Sequence, residues 1–177
     1  YKEENFEPGT GIIHKEEFGT KYSVLETAHL SIKYSDNCAI NMIIELLGIN
    51  EIRQYMIDLG GFVWYGNRHR SCPIDMAIFA RELYNSYISN PDVFGILIKH
   101  LENTVFNDWM NSKLPDDVRV AHKIGINRDT LNDVGIVFAR EPFVLSIMSL
   151  GYERDEGKEK IAKITRMVYD FVDKEIE

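Results

Sequence analysis

Pro115 divides this chain into two kinds of sequence. Upstream, apolar residues recur every three or four positions, the spacing that places them on one face of a helix. Downstream, short apolar runs are separated by brief polar connections, and only the final segment returns to a helical period. Short connections between strands imply an antiparallel meander, since parallel neighbours need long crossovers. A chain ordered as helices, then meander, then helix is an α+β protein.

Residues 1–22 read as irregular, with a turn at Pro8-Gly9-Thr10-Gly11. Ser23, with Glu26 three residues on, forms a capping box, and Leu25, Ala28, His29 and Ile32 supply the inner face of the helix it opens. Lys33-Tyr34-Ser35-Asp36-Asn37 interrupts that pattern with cap-type residues. A second helix carries Ala39, Ile40, Ile43, Ile44 and Leu47 and ends at Gly48. A third covers about 50–59 and stops at Gly60-Gly61, after which a loop without a clean period runs through Cys72. Pro73 suits the first turn of a helix to about Ser89. Val93 to Leu101 is helical, and a short helix is expected near 104–111. Strands are expected at Val118 to His122, at Val134 to Ala139 after a polar loop, and at Phe143 to Leu150. Asp155 then caps a helix to about Lys174, with Ile161, Ile164, Val168, Phe171 and Val172 as its stripe.

At 177 residues and 45% apolar, the chain can bury one core, and it reads as a single domain over 1–177. A net charge of -8, with its basic residues scattered, excludes nucleic acid as a partner, because phosphate binding needs concentrated positive charge. The five histidines show no paired ligand spacing, and the aspartates near 116–117 and 129–133 lack a calcium-loop pattern. No metal and no cofactor is therefore expected. Gly9 and Gly11 match only the start of a phosphate loop, with no Gly-Lys-Ser/Thr after them. Cys38 and Cys72 are read as separate thiols, Cys38 as a small buried hydrophobe. No run approaches the roughly 20 apolar residues that span a bilayer.

The informative pair is Ser35-Asp36-Asn37 with Lys123-Ile124-Gly125. Taken alone, the first reads as a helix cap and the second as an ordinary strand end. Together and in this order they carry more. Tyr34-Ser35-Asp36-Asn37, continued by Cys38-Ala39-Ile40-Asn41-Met42 and Leu46-Leu47-Gly48, resembles the second signature of the class A β-lactamases and penicillin-binding serine hydrolases. Cys72-Pro73-Ile74-Asp75-Met76-Ala77 resembles the helix start after that family's omega loop. His122-Lys123-Ile124-Gly125 resembles the third signature, Lys-Thr/Ser-Gly. The resemblance covers almost the whole chain in order.

The resemblance implies a β-lactamase/transpeptidase-like fold and acyl transfer on β-lactams or D-Ala-D-Ala-type peptidoglycan stem peptides. It implies Ser35, Asn37 and Lys123 as catalytic residues. Ser35 would pass a proton to the leaving nitrogen, and Asn37 would hold the substrate amide and position the general-base lysine. Lys123 would bring positive charge to the cleft, where Lys123, Ile124 and Gly125 form the substrate-binding strand. It also implies an extracellular or cell-surface location.

Three departures from the family pattern follow. No Ser from Ser23 to Ser149 has a Lys three residues later, so the nucleophile motif Ser-x-x-Lys is missing, and acyl transfer needs an activated nucleophile. The segment Gly61 to Cys72 contains no carboxylate, whereas the family's lactamases carry a deacylating Glu there. His69 is the one substitute base in that segment, and it reads first as a loop histidine. Ile124 stands where the family has a hydroxyl, a lost donor worth about 0.5–1.5 kcal/mol to a bound carboxylate. The missing Glu suits a slow peptidase or penicillin binder better than an efficient lactamase.

Only three strands are readable where the family has about five, so Phe143 to Leu150 is expected as an exposed edge, with a large cavity where the nucleophile helix belongs. The chain is thus expected to be an incomplete domain, inactive alone. A missing N-terminal segment, a cleaved complement or a swapped partner chain would complete it. The alternative is a catalytically inactive module that binds cell-wall peptide or protein without chemistry.

Overall fold

Six α-helices and one three-stranded sheet make up the residues that the computed structural model describes, 1–62 and 71–174. The first helix, α1 (Val24–Lys33), begins at the expected capping box: Glu26 N–H donates to Ser23 Oγ at 3.2 Å, and Ser23 N–H donates to the Glu26 carboxylate at 2.8 Å. Asp36 caps α2 (Asn37–Leu47), and Gly48 both ends α2 and opens α3 (Ile49–Asp58). Proline occupies the first turn of α4 (Pro73–Ser89) and of α5 (Pro91–Glu102), where its missing N–H removes no helical bond.

The meander follows as β1 (Arg119–Asn127), β2 (Thr130–Phe138) and β3 (Phe143–Leu150), antiparallel in that order, and α6 (Arg154–Lys174) closes the chain. The register pairs Ala121 with Ile136 and Lys123 with Val134 on one face, and Val120 with Val137 and Ile124 with Asp133 on the other. The first face packs on α4 and α5 through Ala121, Ile136 and Ile98. The second packs on α6 through Ile161 and on the buried pair Trp109 and Met110. A third cluster joins the N-terminal segment to α1 and α2 around Ile13, Leu30, Cys38 and Ala39.

Two expectations are corrected. Residues 104–111 form turns instead of a short helix. Thr104 Oγ1 accepts from the Phe106 N–H, and the Met110 N–H donates to the Asp133 side chain, so local and tertiary partners replace the helical ladder. The first two strands are also longer than their apolar runs. The polar stretch after His122 continues β1 to Asn127, turns at Arg128-Asp129, and returns as β2 from Thr130. Backbone pairing extends into residues whose side chains no apolar pattern marks.

Cys38 is buried and Cys72 half-buried, and both are free thiols. No described helix is long and apolar enough to cross a membrane. Among the described residues β3 has no strand on its outer side, and Leu150 at its end is 68% exposed.

Candidate active site

The helix α1 stops because Tyr34-Ser35-Asp36 turns the chain before α2 begins. Ser35 takes φ +52°, a left-handed conformation that non-glycine residues adopt at a cost of roughly 1–3 kcal/mol unless their surroundings fix them. The surroundings do. Thr10 Oγ1 donates to the Ser35 carbonyl at 2.6 Å, and the Asp36 N–H reaches back to the Leu30 carbonyl at 3.3 Å.

Asp36 anchors this turn from below. Its buried carboxylate accepts from Ala39 N–H at 3.0 Å, capping α2, and from Ile12 N–H at 2.6 Å and Ile13 N–H at 2.9 Å. The N-terminal loop is thereby clamped against the Ser35 turn. Gly11 is required at that contact: its φ is +110°, and a Cβ there would lie 2.3 Å from the Asp36 carboxylate.

Lys123, on the α4/α5 face of the sheet, reaches this turn. Its ammonium donates to Ser35 Oγ at 2.7 Å and to the Ile124 carbonyl at 2.9 Å. Burial lowers its pKa to about 8, against the opposing pull of the Asp133 charge. Asn37 lies on the same turn: its Nδ2 donates to the Pro8 carbonyl at 3.1 Å, and Thr10 Oγ1 bridges the Ser35 carbonyl and Asn37 Oδ1. Ile124 buries its side chain on the opposite face of the sheet, so its offering to the Lys123 side is its carbonyl. Gly125 is exposed one residue further along the strand.

Beside Lys123 lies an apolar cavity of about 360 Å³, lined by Tyr55, Met76, Phe79, Leu83, Val134 and Ile136 among others. Its walls come from α3, α4, α5 and the sheet. No group of three or more metal-ligating side chains occurs among the described residues. Of the segment Gly61 to Cys72 that lacks a carboxylate, residues 63–70, His69 among them, lie outside the described residues.

Four participants escaped the sequence reading in whole or in part. Asp36 was legible as a cap-type residue, but its hold on Ile12 and Ile13 was not. Thr10 was hidden in a turn signal. Behind the sheet, His122 Nδ1 and the Asp133 carboxylate meet at 2.9 Å, both wholly buried. That contact depends on strand pairing across a hairpin whose polar residues read as loop.

Helices on both faces of an antiparallel meander, with a serine turn and a strand lysine meeting beside an apolar cavity, make up the β-lactamase/transpeptidase-like architecture. The chain belongs to the beta-lactamase enzyme family, whose model matches residues 1–172. A β-lactamase from Streptomyces albus G is 28% identical over 77% of this chain and 50% of its own length, so the chain spans about half of that relative. The solved structure of PBP-A superposes with a TM-score of 0.88 at 26% identity, covering 98% of this chain and 70% of PBP-A. A PBP-A variant described as an acyl-enzyme complex with penicillin G gives a TM-score of 0.88 at 27% identity, with the same coverage. A β-lactamase from Sphaerobacter thermophilus shares the fold, with a TM-score of 0.84 at 20% identity over 96% of this chain and 71% of that one.

Proposed function

We propose that this chain is part of a serine hydrolase domain that acts by acyl transfer on β-lactams or D-Ala-D-Ala-type cell-wall peptides. The observation that carries the reading is the 2.7 Å bond from Lys123 Nζ to Ser35 Oγ at the edge of an apolar cavity. A lysine poised near pH 8 beside a serine hydroxyl can relay a proton to a leaving nitrogen through that hydroxyl. Its charged form attracts a substrate carboxylate. Asn37, the first residue of α2, would have to turn its amide from the Pro8 carbonyl and Thr10 to hold a substrate amide, and the β1 backbone at Ile124 and Gly125 offers an extended peptide a strand to pair with.

Ser35 is the proton-relay serine in this reading, and the nucleophile comes from a further segment that seats an apolar face in the cavity. The cavity's lining, almost entirely apolar apart from Lys123, Glu82 and Ser86, suits a helix of that kind. The chain alone is then inactive. Without a carboxylate between Gly61 and Cys72, the completed domain deacylates slowly, as a peptidase or penicillin binder does. The cell surface is the matching location.

Intact-mass spectrometry of the parent protein, with and without a penicillin, tests the reading. The expected result is a covalent adduct that maps outside this chain and persists for minutes or longer. Turnover within seconds would overturn the slow-deacylation part, and no adduct at any dose would overturn acyl transfer. The second reading, a binding module without chemistry, rests on the absence of a Ser-x-x-Lys motif. It predicts that Ser35→Ala and Lys123→Ala leave binding of a cell-wall peptide unchanged.

A further inference from the structure

His29 on α1 and His100 on α5 stand 71 positions apart in sequence and meet where the two helices pack. Their Nδ1 atoms are 3.0 Å apart and their ring centres 4.4 Å apart, with the ring planes at 66°. Both residues are half-buried, so solvent has access to the pair. The two distances distinguish three arrangements. A ring nitrogen lies about 1.15 Å from its ring centre, so a straight head-to-head N–H···N bond of this length would hold the centres about 5.3 Å apart. Two imidazoles on a tetrahedral ion, bound at about 2.05 Å, would have nitrogens about 3.3 Å and centres about 5.2 Å apart. Two imidazoles placed cis on a square-planar ion at that length would have nitrogens about 2.9 Å and centres about 4.5 Å apart. The observed distances fit the last of these. Turning a ring about its metal–nitrogen axis changes neither distance, so the 66° between the planes is compatible with it. As a hydrogen bond, by contrast, the contact is bent at one nitrogen or both.

We propose that His29 and His100 are the two protein ligands, each through Nδ1, of a site for a square-planar divalent transition ion, copper(II) before nickel(II). Imidazole suits both ions, and the geometry is theirs. Water supplies the remaining positions, because no group of three or more metal-ligating side chains occurs among the described residues. Nearby charge points to the same class of ion. Lys33 on α1 and Lys99 on α5 act on His100 and oppose any cation held by charge alone. Magnesium and calcium, which take oxygen ligands, find none in this pair. Whichever ring donates in the metal-free chain shifts its proton to Nε2 when the ion binds, so the site does not depend on the tautomer. With the ion in place, α1, whose C-terminal end leads into the Ser35 turn, is fastened to α5. Histidine spacing along the chain gave no sign of this pair, since its two ligands come from different helices.

The test adds copper(II) to the parent protein and to its His29→Gln and His100→Gln variants. One equivalent is expected to give a tetragonal EPR spectrum coupled to two imidazole nitrogens. Each variant is expected to weaken that site more than about tenfold, the loss that even an outer-shell change brings. Nickel(II) is expected to displace copper(II) only in excess, and magnesium not at all. A wild-type spectrum without two-nitrogen coupling would overturn the proposal, and so would a coupling that either folded variant retains in full. Should neither variant fold, the wild type still decides: copper(II) is expected to broaden the NMR signals of α1 around His29 and of α5 around His100. Signals there that stay sharp would also overturn it. No arm involves acylation, so a parent protein that binds copper(II) here while forming no penicillin adduct would sink the enzymatic reading and leave this one standing.

Discussion

Lys123 donates a hydrogen bond to Ser35 at 2.7 Å, joining strand β1 to the α1–α2 turn across 88 residues of sequence. The bond crosses from the meander to the helical half at the margin of a cavity that would otherwise separate them. It also places a buried ammonium whose protonation the rest of the fold must tolerate.

The pH dependence of stability should report that ammonium. Lys123 is lowered from 10.5 in the unfolded chain to about 8 in the folded one, first by burial. Between these values the unfolded state binds the extra proton, so stability rises with pH across this window and is lost as pH falls back to 8. The full difference is roughly 3 kcal/mol. Urea midpoints of wild type and Lys123→Met should converge or cross as pH rises through the window, and parallel curves would contradict it.

Gly11→Ala should be among the most damaging small substitutions. The new Cβ would meet the Asp36 carboxylate at 2.3 Å and its Cα at 2.6 Å, in a backbone with φ +110°. Relief requires moving the carboxylate that holds Ile12, Ile13 and Ala39, and losing one such charge-assisted bond alone costs about 1.5–3 kcal/mol. Chemical denaturation should show a loss of about 3 kcal/mol or more. Gly19→Ala, with open space around its Cβ, should lose about 1 kcal/mol, from its positive φ alone.

The helical half was legible because its signals are local. The Ser23–Glu26 box, Gly48 and Pro73 each mark an end within a few residues, and the observed helices respect them. The pairing of Ser35 with Lys123 was legible only as two signatures in order, since neither motif specifies the other. What stayed hidden was set by tertiary partners. Residues 104–111 carry helix-compatible spacing, yet Met110 N–H is satisfied by Asp133 from β2, and Trp109 is wholly buried against the sheet. The β1–β2 hairpin was hidden for the converse reason: Asn127, Thr130 and Asn132 look like loop, but the ladder needs only their backbones.

Gly135 and Gly125 offer a contrast within one hairpin. A Cβ at Gly135 would meet Met110 Sδ at 2.7 Å, His122 Cβ at 2.8 Å and the Ala121 carbonyl at 2.9 Å. Two of those neighbours are close to or part of the backbone and have little room to give. At Gly125 the nearest atom is Asn132 Nδ2 at 3.7 Å, an ordinary contact. Gly135→Ala should therefore destabilise by about 1–3 kcal/mol by overpacking, whereas Gly125→Ala should be near neutral or slightly stabilising. Thermal melts of the two variants distinguish them directly.

His29 on α1 and His100 on α5 face each other with their Nδ1 atoms 3.0 Å apart, close enough that one must donate and the other accept. Two imidazolium rings cannot satisfy that geometry, because both nitrogens would carry protons. His100 is held below the usual histidine value of 6.5, first by burial, then by the charges of His29, Lys99 and Lys33. As pH falls below 6.5 the unfolded chain gains a proton that the folded chain resists, so stability is lost toward acid. The contact lies where α1 packs on α5, one turn before the segment that leads to Ser35. His100→Gln should flatten the acid limb of the stability profile. His29→Gln, which leaves the burial of His100 in place, should flatten it only in part. Urea denaturation between about pH 7 and pH 5 separates the two, since that interval spans ordinary histidine titration. Equal flattening by both variants would mean that the neighbouring ring, more than burial, holds His100 down.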